Sequence, residues 1–278
     1  MEHVRWIGEA PELQDPVLLM AFEGWSDAGD AASTALHWVR DRWAPEPLAE
    51  IDGEDFYDFT STRPQVRLDD GVTRTIDWPR IELTWGSDAG RDVITLTGTE
   101  PQLHWRTLAA EVLGIVDTLG VKLVLSMGAL ITDVPHTKPI NIIGTSTDAD
   151  LITKFGLQRS GYEGPTGILG VLHDAFGTAA LPSASMWAPV PSYVPGAPSP
   201  KAALALVLRT ASLLDIGVVT TDLEIASAAY ERQVSDVVAN DDDMASYVEN
   251  LERHYDEERR VPSGDELVAE VERFLREQ

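Results

Sequence analysis

Residues 16–33 read PVLLMAFEGWSDAGDAAS. The first seven, Pro16 to Phe22, are apolar, and AASTALHWVRDRW (31–43) mixes apolar and polar positions beyond the turn. A strand that runs through a tight glycine-bearing turn into a helix start is a building unit of α/β proteins, and its turn is where they often place chemistry. Three readings compete for this turn. A phosphate cradle has the right spacing from Gly24 to Gly29, but Asp30 and Ala31 stand where Lys and Ser/Thr belong. Asp27 and Asp30 also supply already the negative charge that a helix N-terminus attracts. A nucleophile elbow is approximated by Gly24-Trp25-Ser26-Asp27-Ala28, with Ala for the last Gly, and it needs a base such as His136 or His173 and an orienting acid. In the third reading Ser26 or Asp27 caps the helix, Gly24 and Gly29 permit close backbone approach, and Ala28, Ala31, Ala32 and Ala35 let the helix sit tight on the sheet. That reading needs no distant partner and explains the composition best, although it leaves Trp25 at the tip unexplained.

At 278 residues and 44% hydrophobic composition, the chain can hold one sizeable core and a second small unit. It has no cysteine, which excludes disulfides, thiolate nucleophiles and cysteine-based zinc or iron–sulfur sites. The longest apolar runs, such as LALVLRTASLL (204–214), are broken by charge well short of the roughly 20 residues that span a bilayer. MEHVRWIGEA at the start has no signal-peptide character, so a cytoplasmic location without membrane contact is expected. A net charge of −25, with no Lys/Arg-rich stretch, repels phosphate backbones, and nucleic acid is not an expected partner. Residues 215–278 carry 18 acids against 6 arginines, about half of the whole excess, which sets the tail apart from the body.

Period and punctuation predict strands at 17–22, 48–51, 80–85, 93–97, 122–127, 140–145 and 183–188, with helices at 28–43, 102–119, 148–155, 167–176 and 200–214. Aliphatic runs alternating with helical patterns imply a largely parallel sheet covered on both faces. Residues 52–92 read instead as a meander of short strands, with DDG (69–71) as a hairpin turn. Ser199 suits an N-cap and Pro200 a first helical position, and the proline-rich stretch 188–200 before them reads as a stiff loop. Beyond about residue 216 the pattern is helical only. Thr221/Glu224 and Ser263/Glu266 have capping-box spacing. Met244, Tyr247, Val248, Leu251 and Tyr255 form one apolar stripe, and Leu267, Val268, Val271, Phe274 and Leu275 a second. Helices this short must pack on each other, on the body or on another subunit. The expected organisation is therefore an α/β domain over 1–215 and an acidic helical region over 216–278.

Two further turns behave like the first. LVLSMGALITDVPHTKP (123–139) carries Asp133 and His136 out of a buried strand, and GYEGPTGILGVLHD (161–174) leads Gly164, Thr166 and Gly167 into a helix. Asp133 and His136 have the chemistry of an acid/base pair or of two metal ligands, but a capped turn with a satisfied histidine is the simpler expectation. His37 and His173 lie in helix patterns and read as packing or surface residues. No metal site and no cofactor are expected. If the protein is an enzyme, Asp27, Asp30, Asp133 and His136 are the candidate general acid/base groups. Gly24, Trp25, Ser26, Gly29, Gly164, Thr166 and Gly167 form the expected loop cluster at the strand ends.

At these residues the sequence resembles a known family. GWSDAGDAAS (24–33), GALITDVPHTKP (128–139), GPTGILGVLHD (164–174), ASMWAPVPSYV (184–194), PSPKAALALV (198–207) and PSGDELVAEVERFLRE (262–277) look like the actinobacterial branch of the PAC2 (proteasome assembly chaperone 2) family. The resemblance implies a three-layer αβα fold with a mostly parallel central sheet, similar to the phosphorylase/hydrolase-like fold, plus a small helical C-terminal region. It also implies protein partners or self-association, a homo-oligomer such as a trimer. Eukaryotic members help assemble proteasome α-rings, and some archaeal relatives contact proteasomes through a hydrophobic-Tyr-X tail. This chain ends Arg276-Glu277-Gln278, so a proteasome contact of that kind is not expected, and Ser192 stands in VPSYV where many relatives carry His. A non-catalytic assembly factor or interaction scaffold is the leading expectation. A hydrolase- or nucleoside-phosphorylase-like enzyme is the alternative.

Overall fold

The structure, a computed structural model, describes residues 1–88 and 91–258. Along the chain run β1 (Val4–Trp6), β2 (Val17–Glu23), a 3-10 turn (Ala28–Asp30), α1 (Ala31–Trp43), β3 (Glu46–Asp52), β4 (Gln65–Asp69) and β5 (Thr73–Asp77). There follow β6 (Arg80–Asp88), β7 (Arg91–Thr99), α2 (Trp105–Leu119), β8 (Leu123–Thr132), β9 (Ile143–Ser146), α3 (Ala149–Phe155) and α4 (Ile168–Thr178). The described chain closes with β10 (Ser183–Pro191), α5 (Pro200–Leu214), α6 (Thr221–Ala239) and α7 (Asp242–Glu258). The main sheet has the order β1-β3-β6-β7-β2-β8-β10-β9. Its centre, β7-β2-β8-β10, is parallel, while β6, β3 and β1 on one side and β9 on the other run antiparallel.

The uninterrupted apolar run of β2 follows from this position. Val17, Leu19 and Ala21 face a core shared with α1 and α5, whereas Leu18, Met20 and Phe22 face a second core under α2 and α4. A central parallel strand buried on both faces has no polar side to display. The small residues Ala31, Ala32 and Ala35 bring α1 close to the sheet, as their size suggests. The fold is thus the expected αβα sandwich with a mixed, centrally parallel sheet.

All seven expected strands and all five expected body helices form, with shifts at their ends. β9 begins at Ile143 rather than 140, and α2 at Trp105 rather than 102. β10 continues to Pro191, through residues expected in a loop. Its prolines are tolerated because β9 pairs only with residues 184–187, so Pro189 and Pro191 lie where no strand pairs on that side. The three residues of β1 pair with β3 and were too few to give a periodic signal. In the meander, β4 and β5 form a separate hairpin whose turn has Asp70 and Gly71 at positive φ, as DDG suggested.

Helices α6 and α7 pack within the chain. Tyr230, Val234, Val238 and Val248 form a third apolar cluster with Tyr193, Val194, Ala197, Met244 and Ala245. The cap of α6 is one residue earlier than expected, with Thr220 Oγ1 donating to Glu224 Oε1 at 2.8 Å. The second stripe and its capping box, 263–275, lie outside the described residues. None of the described helices is long and apolar enough to cross a membrane.

Candidate functional site

At the first turn Asp27 N donates to Gly24 O at 3.0 Å, and Ala129 N of β8 donates to Ser26 O at 2.8 Å, which pins the loop to the neighbouring strand. Gly29 (φ +59) and Asp30 (φ +49) are both left-handed before α1 begins. Asp27 Oδ1 accepts from Ala32 N at 2.7 Å and from Ser33 N at 3.1 Å. The buried carboxylate therefore occupies the N-terminus of α1, as the capping reading expected. Burial raises its pKa above the usual aspartate value, and the bonds from Ser33 and Ala32 hold it back. Asp27→Ala is expected to cost about 1–2 kcal/mol of stability in urea unfolding, and Asp27→Asn, which keeps an acceptor oxygen, distinctly less.

A second helix start at this end of the sheet is filled in the same way. Ile168 N, the first helical amide of α4, donates to Glu100 Oε1 at 2.9 Å. Gly167 makes the approach possible, because a Cβ there would stand 2.6 Å from Glu100 Oε1, 2.9 Å from the Trp25 ring and 3.3 Å from Ser26 Oγ. Gly24, Trp25, Ser26, Thr166 and Gly167, five of the seven residues of the expected loop cluster, thus lie together. They line one end of a cleft of about 1390 Å³ between α4 and the β8-β10-β9 face of the sheet. Gly29 and Gly164 do not line it. Gly29 serves the other side of the turn, where its carbonyl accepts from Ser199 N at 2.7 Å and ties the turn to the start of α5.

His173 belongs to this cleft, although its helical setting suggested packing or surface. Its Nε2 lies 2.7 Å from Ser126 Oγ and its Nδ1 3.1 Å from Ser183 Oγ. Burial lowers its imidazole to about 4, so it is neutral near pH 7. A base that weak has little driving force to take a proton from a serine. The sequence signal was spacing within GPTGILGVLHD: His173 lies one and a half turns beyond Gly167 on α4, but only the packed sheet reveals its two serine partners.

Asp133 and His136 lie elsewhere and are not bonded to each other. Asp133 Oδ1 accepts from Ser192 Oγ and from Tyr247 OH, both at 2.8 Å, and these bonds lower its pKa. His136 N donates to Tyr193 OH at 2.7 Å, while Nδ1 is 2.7 Å from the same oxygen and Nε2 is 2.9 Å from Ser235 Oγ. Ser235 Oγ donates to Glu231 O at 2.8 Å. The network assigns the neutral Nε2–H tautomer, with Tyr193 donating to Nδ1. Burial, aided by the Lys201 charge, lowers the His136 pKa. Lys201 Nζ also holds His136 O at 2.5 Å and Glu231 Oε2 at 2.6 Å. His136 is thus the satisfied histidine expected, and it fastens the β8–β9 connection to α6. A small cavity of about 120 Å³ beside it is lined in part by Lys201, Tyr230 and Tyr255. Among the described residues no cluster of three or more His, Asp or Glu side chains is arranged to hold a metal ion.

The fold and cleft define an αβα protein with a large cleft along the β8-β10-β9 face of its sheet, beside which the N-termini of α1 and α4 are closed by the chain's own carboxylates. The chain belongs to the PAC2 family, whose sequence profile matches residues 21–238. It is similar to a PAC2 family protein from Streptomyces avermitilis (42% identity, 84% of this chain and 100% of that one covered, TM-score 0.79). It is equally similar to a Mycobacterium tuberculosis proteasome-assembly chaperone homologue (42% identity, 84% and 99% covered, TM-score 0.76). An archaeal proteasome activator from Pyrococcus furiosus shares the fold (17% identity, 85% and 99% covered, TM-score 0.67). A comparison with curated proteins finds no match.

Proposed function

We propose that the protein is a cytoplasmic, non-catalytic assembly factor or interaction scaffold that works as a homo-oligomer, a trimer in our reading, with its 1–215 body carrying an appended helical region over 216–278. The observation that carries this reading is the β4–β5 hairpin. Val66 pairs with Ile76 and Leu68 with Arg74, so these four share one face. Val66, Leu68 and Ile76 are 60%, 57% and 56% exposed. A two-stranded hairpin with its apolar face in water is marginal alone and gains by being covered. Residues 63–80 also hold four arginines against three aspartates, in a chain of net charge −25. That makes the hairpin a place where two copies meet with little repulsion.

Relatives described as a proteasome-assembly chaperone homologue and an archaeal proteasome activator support a chaperone-like role in general. Protein surfaces, rather than nucleic acid, are the partners this charge favours. Light scattering after size exclusion tests the reading: a mass that is a multiple of 30.4 kDa is expected, collapsing to one chain in Val66→Glu/Ile76→Glu. A wild type that is monomeric at every concentration and retains nothing from a native lysate would sink it.

The cleft is the one feature that favours a hydrolase- or phosphorylase-like activity instead. Against it weigh the weak base His173, the saturated His136 and the absence of a hydrogen-bonded base at Ser26 Oγ among the described residues.

A further inference from the structure

The chemistry lining the α4 cleft is selective. Nine of its lining residues are serines or threonines, whereas only Arg159 and Asp174 bring a formal charge. The two helix N-termini beside its Trp25 end, which would otherwise draw a phosphate or carboxylate, are taken by Glu100 and Asp27. Neither helix N-terminus is therefore free to receive an anion at this end, and Arg159 is the cation among the cleft's lining residues.

The walls are built. Gly128 lacks a Cβ where one would stand 2.5 Å from the Trp187 ring, so the indole lies down across β8 while also lining the cleft. Its Nε1 donates to Ser185 Oγ at 3.2 Å, and Ser185 Oγ is 2.7 Å from Thr145 Oγ1 on the adjacent strand. An aromatic plate is thus flanked by a row of neutral hydroxyls, each able to donate or accept. At the far end Ser26 is 2% exposed, and its Oγ has no hydrogen-bond partner among the described residues. A buried hydroxyl left without a partner costs stability, and a ligand hydroxyl at this end of the cleft would relieve that cost.

We propose that the cleft binds an uncharged polyhydroxylated ring compound, a sugar or the sugar part of a nucleoside, with Trp187 as its stacking plate and Ser26 and the Thr145–Ser185 row as its hydrogen-bonding groups. The cleft exceeds the roughly 300–1,000 Å³ of ordinary ligand pockets, so there is room for two linked rings. This small-molecule site is independent of the hairpin surface. An aromatic face meets the C–H face of a sugar ring, and the hydroxyl row exchanges bonds with its edge. The arrangement requires no chemical step.

Ligand-observed NMR on the full chain tests it with four probes: maltose, adenosine, glucose 6-phosphate and adenosine 5′-monophosphate. Saturable binding of maltose or adenosine is expected, and whichever binds tells a free sugar from a nucleoside. The phosphorylated partner of each should bind about tenfold more weakly, because the two helix N-termini that would receive its charge are already taken by Glu100 and Asp27. Ser26→Ala should weaken the neutral ligand about tenfold. Trp187→Leu serves as a second variant, and each variant's thermal melt shows that it is folded. No saturable binding of either neutral probe would overturn the proposal, as would equal or tighter binding of the phosphorylated probes or unchanged affinity in both folded variants. If Val66→Glu/Ile76→Glu monomers bind the sugar while wild-type oligomers do not, the cleft is an interface between copies, and that too would overturn it.

Discussion

Gly29→Val is expected to remove about 3 kcal/mol of stability, the largest loss of any single change at the first turn. Gly29 has φ +59, and a left-handed β-branched residue costs roughly 1–2 kcal/mol by itself. Its added Cβ would also lie 3.0 Å from Ala197 O and 3.1 Å from Ser199 Cβ. Overpacking against backbone that cannot yield costs about 1–3 kcal/mol more. The same contact carries the bond from Ser199 N to Gly29 O, so the substitution separates the starts of α1 and α5. Gly29→Ala should lose about half as much, since it keeps the crowding but not the branching. Equilibrium urea unfolding measures both, and a melt of Gly29→Val that matches wild type would mean the turn is far looser than its hydrogen bonds imply.

Acid should destabilise the wild type through His173 by about 3 kcal/mol. Its folded pKa, about 4, lies below the unfolded value of 6.5, so the unfolded chain takes the proton first. The contribution is intact above about pH 6.5 and is lost as the pH falls toward 4, at about 1.4 kcal/mol per pH unit. His37 and His136, both lowered by burial, act in the same direction. His3, raised by Glu111 and Asp55, acts in the opposite one, adding stability below pH 6.5. Comparing wild type with His173→Gln at each pH isolates the one group. The difference in unfolding free energy between the two proteins should shrink steadily from pH 7 to pH 4, and a constant difference would mean that His173 is as easily protonated in the fold as outside it.

Much of this protein is legible in its sequence, and the reasons are physical. β2 is buried on both faces, so its apolar run announced a central strand, and Asp27 stands where a cap must stand before small residues that pack on a sheet. The α7 stripe pointed correctly to a packed face, with Tyr247 reaching Asp133 and Tyr255 donating to Pro139 O. What was not legible depends on contacts between distant residues. Nothing near position 100 marks Glu100 as the cap of a helix that starts 68 residues later. The pairing of His173 with Ser126 and Ser183 needs the register of β8 against β10. Asp133 and His136, three apart in sequence, turn toward different partners because the chain bends between them, each side chain meeting groups from the helical region. Trp25, unexplained as a cap residue, is 63% exposed and stands at the mouth of the cleft.

The carboxylates at the two helix starts are part of the architecture, so that this end of the sheet refuses anions. An amide NMR titration of the full chain with inorganic phosphate at constant ionic strength tests that directly, read at Ala32, Ser33 and Ile168. No saturable shift at these three amides is expected. Saturable shifts at all three, with phosphate displacing Asp27 or Glu100, would contradict it and return the turn to an anion-binding role.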